Sequence, residues 1–129
     1  MIVIKKIDIL AYFDFKSKKL EKLDVDDVWI VSKYKDNEIL FSKNRDDDKS
    51  NLFTFDCMEK KETEIANVSL PIRTADMCFN LKSNCLYYDI YDSVYKVNMQ
   101  NGSSEMVYCF TNYENIDQVT IIWRYLYSN

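Results

Sequence analysis

The sequence predicts an all-β protein made of three copies of a four-stranded antiparallel repeat, each about 43 residues long. Short runs of β-branched and aromatic residues recur between polar turns, which is typical of strands. One polar position returns every 42 residues, at Asp14, Asp56 and Asn98, and the apolar positions around it keep the same register. No segment shows a convincing helical pattern. We therefore expect one domain of three repeats across residues 1–129.

The second half of each repeat is predicted to be a hairpin. The three hairpins cover residues 10–23, 52–65 and 94–107. The third has its turn at Asn101-Gly102, a strong hairpin signal because both residues tolerate positive φ. The equivalent turns, at Ser17-Lys18 and Glu59-Lys60, contain no glycine. We therefore expect longer or bulged loops at these two turns.

The first half of each repeat is a second predicted hairpin. Two of these hairpins cover residues 28–41 and 77–88, with turns at Asn37 and Asn84. The last copy begins at residues 120–123 and reaches Asn129 at the equivalent turn. Its missing strand is predicted at residues 2–4. The strand count is then twelve, and the two termini close one repeat with residues 2–4 beside residues 120–127.

The connecting segments are predicted to be loops at the surface. The polar runs at residues 24–27 and 111–118 fit loops between repeats better than helices. Pro71 lies between two repeats, where a strand must end because proline has no N–H to donate. Residues 43–50 form an insertion in one repeat only, and such insertions map to surface loops.

Two neighbouring segments, residues 86–89 and 93–102, carry a family resemblance. Leu86-Tyr87-Tyr88-Asp89, followed by the run from Ser93 to Gly102, is similar to the blades of YWTD-type and TolB-like β-propellers. The resemblance covers nearly the whole chain and implies a fold but no activity, because propellers carry unrelated functions. It transfers no functional residue.

The blade count leaves the architecture open. Propellers have about four to eight blades, and this chain supplies three. Two chains could join into a six-bladed ring, or the chain could be part of a longer protein. The third alternative is a β-trefoil, which also has twelve strands in three units. The circular closure of the ends favours the first and third alternatives.

Charge and composition exclude several function classes. The net charge of −4 is opposite to the basic field that nucleic-acid binding requires. No apolar stretch approaches the length of a membrane span, and the N-terminus lacks the pattern of a signal peptide. We therefore expect a cytoplasmic protein that binds neither nucleic acid nor membranes.

The reactive residues give no sign of an enzyme. The chain has no histidine, which removes the commonest general base and metal ligand. The four cysteines lie singly in apolar strand patterns, which indicates buried free thiols in a reducing compartment. They are Cys57, Cys78, Cys85 and Cys109. We expect no catalytic residue, no cofactor and no metal.

An acidic run is the first candidate binding site. Asp46, Asp47 and Asp48, with the carboxylates of residues 24–27, could offer oxygen ligands to calcium. Their spacing does not match the EF-hand loop, and no glycine provides its sharp turn. The run is therefore interpreted as a solvated loop or as an acidic loop that binds a partner.

Aromatic residues form the second candidate. The chain has ten tyrosines, and tyrosine is enriched at binding surfaces. Tyr88, Tyr91 and Tyr113 are the predicted binding residues among them. Since Tyr87 and Tyr88 are adjacent, one should point into the core and the other away. A further set, Trp29, Phe79 and Trp123, occupies equivalent first strands and is predicted to pack in the core.

These patterns favour a non-catalytic module that binds or scaffolds proteins. Three repeats do not obviously complete a ring, so we expect self-association, most simply into a homodimer. One alternative is a lectin-like carbohydrate-binding module, although the loops differ between the repeats. A second alternative is a small acidic inhibitor or immunity-type protein.

Overall fold

The protein is described by a computed structural model that covers residues 2–6, 9–45 and 48–109. Within these residues lie eleven strands. They are β1 (Ile2–Lys6), β2 (Ile9–Asp14), β3 (Lys19–Leu23), β4 (Val28–Lys33), β5 (Glu38–Asn44), β6 (Lys49–Asp56), β7 (Lys61–Pro71), β8 (Asp76–Asn80), β9 (Cys85–Ile90), β10 (Ser93–Asn98) and β11 (Ser104–Cys109).

The strands form three antiparallel sheets in which sequence neighbours pair. Sheet 1 contains β1-β2-β3, sheet 2 contains β4-β5-β6-β7, and sheet 3 contains β8 to β11 in the order β11-β10-β9-β8. Among the described strands, every pairing stays within one sheet, and no sheet is closed. A β-trefoil joins strands of its three units into one barrel, so the described pairing does not support that alternative.

Sheet 2 lies between the other two sheets and has no solvent face at its centre. Ile39 and Phe41 contribute to a hydrophobic cluster with sheet 1, and Leu40 and Leu52 contribute to a second cluster with sheet 3. Neighbouring residues of β5 thus serve opposite faces, as the twofold alternation of a strand requires. The four side chains are fully buried. The core of the protein therefore consists of two apolar layers, one on each side of sheet 2.

The structure confirms the all-β repeat that the sequence predicts. Sheets 2 and 3 each hold two consecutive hairpins, and sheet 1 lacks a partner for β1 among the described residues. The predicted strand at residues 120–123 and the run at 111–118 lie outside the described residues. The proposed closure of the termini therefore stays a prediction.

The polar residue that recurs every 42 positions caps a turn in each sheet. The carboxylate of Asp56 accepts hydrogen bonds from the backbone N–H groups of Met58 and Glu59 at 2.9 and 3.0 Å. Asp14 and Asn98 accept equivalent bonds from the N–H groups that follow them. These side chains replace backbone partners that a turn would otherwise lack. The repeat signal is thus a turn-capping device.

The three turns share one conformation, which corrects the expectation that the turns without glycine would differ. In each, a backbone N–H bonds the carbonyl four residues earlier at 2.8 Å. The donor residues are Lys18, Lys60 and Gly102, which have positive φ values of 57°, 57° and 76°. Two lysines therefore adopt the left-handed conformation that favours glycine.

The core predictions for the aromatic residues are correct in part. Phe79 is fully buried between sheets 2 and 3. Trp29 is 47% exposed, so its prediction as a core residue is wrong. Of the adjacent tyrosines, Tyr88 points into the core and Tyr87 lies on the opposite face of sheet 3. Trp123 lies outside the described residues.

The cysteines are free thiols, as the sequence predicts. Cys57, Cys78 and Cys85 are buried, and Cys109 is half-buried.

Candidate protein-binding surface

Strand β4 contains a β-bulge at Trp29. Val28 pairs with Lys43 and Val31 pairs with Phe41, so β4 holds one residue more than β5 between these pairs. The N–H of Ile30 donates to the Ser42 hydroxyl oxygen at 3.2 Å. A bulge redirects side chains and is common beside functional sites. The bulge therefore lies directly at the exposed indole.

Two contacts hold the exposed indole in place. Its Nε1–H donates to the Thr74 carbonyl at 3.4 Å, which ties β4 to the loop before β8. The Lys5 ammonium lies 5.9 Å from the ring centroid, within range of a cation–π contact. Trp29 thus has a fixed orientation, yet nearly half of its surface remains open to solvent.

The loop at residues 72–75 forms a rigid support beside Trp29. Thr74 is buried, and its N–H and hydroxyl both bond the Pro71 carbonyl, at 3.1 and 2.8 Å. The Ile72 N–H bonds the Asp48 carbonyl at 3.0 Å. The Ala75 N–H bonds the Asp89 carbonyl at 2.9 Å. These bonds join the loop to sheets 2 and 3.

Tyr91 presents a second aromatic ring on the other side of this loop. It lies in the two-residue turn between β9 and β10, is 70% exposed, and has a φ of +52°. The Arg73 guanidinium lies 5.5 Å from its ring centroid. A bulky residue with positive φ is a strained choice for a turn, and strain of this kind is found preferentially at functional sites.

These observations define one surface, made of Lys5, Trp29, Arg73 and Tyr91, which we call the Trp29 surface. Its members come from three sheets or their connecting loops, and Thr74 links the indole to the Arg73–Tyr91 pair. Each aromatic ring is paired with one cation. The arrangement offers two rigid apolar faces and two positively charged donors to a binding partner.

The predicted binding residues fall in different places. Tyr91 is part of the Trp29 surface. Asp48 is exposed, and its carbonyl accepts a hydrogen bond from the N–H of Ile72, the residue before Arg73. Tyr88 is only 5% exposed, and its hydroxyl pairs with that of Ser104 at 2.7 Å, so it lies in the core and away from this surface. Asp46, Asp47 and Tyr113 lie outside the described residues.

Sequence reasoning missed Trp29, Lys5 and Arg73. No motif marks the bulge, since residues 28–31 are all apolar and read as an ordinary buried strand. The one available signal was the alternation of β4, in which Ile30 and Ser32 take the buried positions. That pattern leaves Trp29 on the exposed side.

Burial raises the pKa of several ionisable groups in the described part of the chain. Burial raises the pKa of the Cys57 thiol to about 11, so this group is less reactive than a free cysteine. Burial and the neighbouring Asp76 raise the pKa of Asp89 above its usual range. In the described part of the chain, no three acidic, cysteine or histidine side chains are grouped to hold a metal ion. No helix in that part is long and apolar enough to cross a membrane.

Comparisons with known proteins bear on the fold. No family model and no curated protein matches the chain. The extracellular domain of a putative hybrid two-component system from B. thetaiotaomicron is similar in structure, with a TM-score of 0.53 and 13% identity. That match covers 89% of this chain and 15% of the other.

A protein from Lactobacillus plantarum is also similar in structure, with a TM-score of 0.51 and 12% identity. The match covers 81% of this chain and 33% of the other. The chain therefore spans a third or less of the length of each of these structures. At such low identity the likeness concerns the fold alone, an arrangement of open antiparallel sheets that recurs in larger proteins.

Proposed function

We propose that this chain is a non-catalytic protein-binding module built from propeller-like blades, which binds its partner through the Trp29 surface and associates with itself. The observation that carries the proposal is the position of Trp29, which is held by two contacts and is still 47% exposed. A tryptophan buried in a sheet would contribute nearly all of its apolar surface to the core, whereas Trp29 leaves about half of its surface open to solvent. Its position is best explained by a contact with another molecule.

The propeller-like interpretation is supported by the order and stacking of the sheets. Each four-stranded sheet is a simple meander, and the first strands of sheets 2 and 3, β4 and β8, lie beside each other. Face-to-face packing of such sheets around an axis is the arrangement of propeller blades. The likeness to parts of two larger structures supports the same interpretation.

The composition of the surface favours a protein as partner. Tryptophan, tyrosine and arginine are the residues that contribute most binding energy in protein interfaces. Trp29, Tyr91 and Arg73 occur here together on a support that is already ordered, which lowers the entropy lost on binding. A lectin of repeated units would show the same pocket in each sheet. In sheet 3 the strand equivalent to β4 is β8, and its central residues Met77 and Cys78 are buried. The exposed position of Trp29 is therefore not repeated in β8, which argues against such a lectin.

The proposal that the module is non-catalytic is supported by its side-chain chemistry. The chain has no histidine, and the Cys57 thiol has a pKa of about 11. The Trp29 surface contains two aromatic rings and two cationic side chains, which can bind and position other groups.

The test is affinity capture from cells of the source organism with the immobilised chain, followed by mass spectrometry. Three forms are compared: the wild type, the double variant Trp29→Ala/Tyr91→Ala, and the control Met58→Ala/Leu81→Ala. The control also removes two exposed apolar side chains, but at turns at the opposite ends of the strands.

A protein retained by the wild type and the control, but lost with the Trp29→Ala/Tyr91→Ala variant, is the expected result. Its affinity for the purified variant should fall at least about 30-fold, the loss expected if only one of the two residues is a hot spot of about 2 kcal/mol, and about 1,000-fold if both are. Equal retention on all three forms would place the binding elsewhere and refute the role of this surface.

A further inference from the structure

The outward face of sheet 1, which points away from sheet 2, carries a row of apolar residues beside Lys22. Strand register places Ile2 opposite Phe13 and Ile4 opposite Ala11, and Leu20 of β3 continues the row beside Phe13. Partners in an antiparallel pair share one face. Ile2 is 49% exposed and Leu20 is 63% exposed. An apolar row of this kind on a sheet face marks a site of interaction.

The register shows what kind of contact this row was built for. Phe13, Phe55 and Val97 occupy the same position in the three repeats. Their partners on the preceding strand are Ile2, Ile39 and Leu86, which are therefore equivalent as well. In sheets 2 and 3 the equivalent residues are buried against the preceding sheet. The outward face of sheet 1 is thus an intersheet face for which the described chain provides no preceding sheet.

Sheet 3 has the complementary side. Tyr87 is the register equivalent of Leu40 in sheet 2 and of Val3 in sheet 1, and both of these pack on the sheet that follows. Val94 is likewise equivalent to Leu52 and to Leu10. Tyr87 and Val94 are only half-buried.

A groove also opens on this side of sheet 3. It has a volume of about 500 Å³ and is lined by Cys85 and mostly by polar residues, among them Lys96, Asn98 and Glu105. Within the described part of residues 2–109, this side of sheet 3 is therefore not covered by a following sheet.

We propose that a second copy of this chain places the outward side of its sheet 3, at Tyr87 and Val94, on the outward face of sheet 1, at Ile2 and Leu20. The same contact made in the reverse direction joins the two copies a second time. Two copies of three sheets then form one closed ring of six blades in which neither of these two sides is left open. This inference rests on the propeller-like fold proposed above and names the surfaces of its self-association.

The choice of a second copy follows from the geometry of the contact. The two open sides belong to different sheets, sheet 1 and sheet 3. Within one copy they could meet only if the three sheets formed a closed ring by themselves. A head-to-tail contact between different surfaces produces a ring when the rotation closes. Three blades are fewer than propellers contain, and twice three falls within their range.

The first measurement is the solution mass of the full chain by sedimentation equilibrium over a hundredfold concentration range. The chain has a mass of 15.4 kDa, and the wild type should sediment as a species of twice that mass. The variant Ile2→Asp/Leu20→Glu should be a monomer, with the far-ultraviolet circular dichroism of the wild type. The control Met58→Glu/Leu81→Glu carries the same added charge on exposed turns and should remain a dimer.

The second measurement separates this head-to-tail contact from a symmetric one. Val94→Glu damages the side of sheet 3, and Ile2→Asp/Leu20→Glu damages the face of sheet 1. Each variant alone should be monomeric, but an equimolar mixture retains one intact contact and should form a heterodimer. A symmetric contact between two sheet 1 faces predicts no heterodimer.

A wild type that is monomeric throughout the range would overturn the proposal and would indicate that other residues of the same chain cover the face. A dimer that survives the substitutions at Ile2 and Leu20 would overturn it as well. Partner capture through the Trp29 surface is measured separately with Trp29→Ala/Tyr91→Ala. A monomer that still captures a partner there would remove the ring and leave the binding function in place.

Discussion

The turns with left-handed residues allow a quantitative test of the fold. Gly102→Ala should destabilise the protein, and Lys18→Gly should stabilise it, although both change the same position of equivalent turns. Both residues have positive φ, at 76° and 57°, and donate the same backbone hydrogen bond of 2.8 Å. Only Gly102 contacts a neighbouring sheet, since a Cβ at this position would overlap the backbone oxygen of Asn67.

The expected magnitudes come from two opposing terms. The left-handed conformation costs a residue with a Cβ about 1–2 kcal/mol, and glycine loses about 0.5–1 kcal/mol more than alanine through the flexibility of the unfolded chain. Lys18→Gly should therefore raise the free energy of unfolding by about 0.5–1 kcal/mol. Gly102→Ala adds the overlap with Asn67, worth about 1–3 kcal/mol, and should lower the free energy of unfolding by about 1.5–4 kcal/mol.

The assay is urea unfolding followed by circular dichroism, together with thermal unfolding. A change of 1 kcal/mol should shift the midpoint temperature by about 3–5 °C for a chain of this length. Lys16→Gly is the matched control, because Lys16 lies in the same turn as Lys18 but without a positive φ. It should be neutral or destabilising.

The reasoning would be wrong if Lys16→Gly and Lys18→Gly changed stability equally, because the conformation of the turn would then be irrelevant. A neutral Gly102→Ala would contradict the close approach of this turn to β7.

Two further predictions concern the interior. Ile39→Ala and Leu40→Ala should each lower the free energy of unfolding by about 2–5 kcal/mol, because sheet 2 is buried on both faces. Urea unfolding measures both values. A near-neutral result for either variant would indicate that one face of the sheet is exposed to water. Asp89→Asn should raise the midpoint temperature at pH 7, because burial and Asp76 raise the pKa of Asp89 above the usual 3.8 and the ionised form therefore costs stability. The wild type recovers this stability as the pH falls and Asp89 becomes protonated in the folded protein. In thermal scans the two midpoint temperatures should therefore converge at about pH 3.5. A difference that persisted there would indicate lost contacts and not a charge effect.

Much of the fold could be predicted because its signals are local. The recurrence of Asp14, Asp56 and Asn98 reports a turn that each carboxylate or amide caps by itself, so the sequence period and the structural period coincide. Alternation predicted that one of two adjacent tyrosines points inward, but it did not identify Tyr88 as the inward one. That assignment depends on which face of sheet 3 meets sheet 2.

The candidate surface could not be predicted because its parts are distant in sequence. The apolar run at residues 28–31 is typical of a buried strand, and the contacts of Trp29 with Thr74 and of Tyr91 with Arg73 join separate segments of the chain. The left-handed lysines are hidden for a related reason. Lys18 and Lys60 have no intrinsic preference for positive φ, and the capped turn around them imposes it.

The double burial of sheet 2 has a consequence for the order in which the molecule opens. Sheets 1 and 3 each cover one face of sheet 2. Separation of either outer sheet therefore exposes an apolar layer to water and lowers the stability of the remaining pair of sheets. Cooperative units of this kind lose amide protection in steps. Hydrogen exchange in the native state should therefore be slowest in β5 and β6, with sheets 1 and 3 exchanging through smaller openings. The protein would behave as a short chain of coupled units whose stability is set by nearest-neighbour contacts.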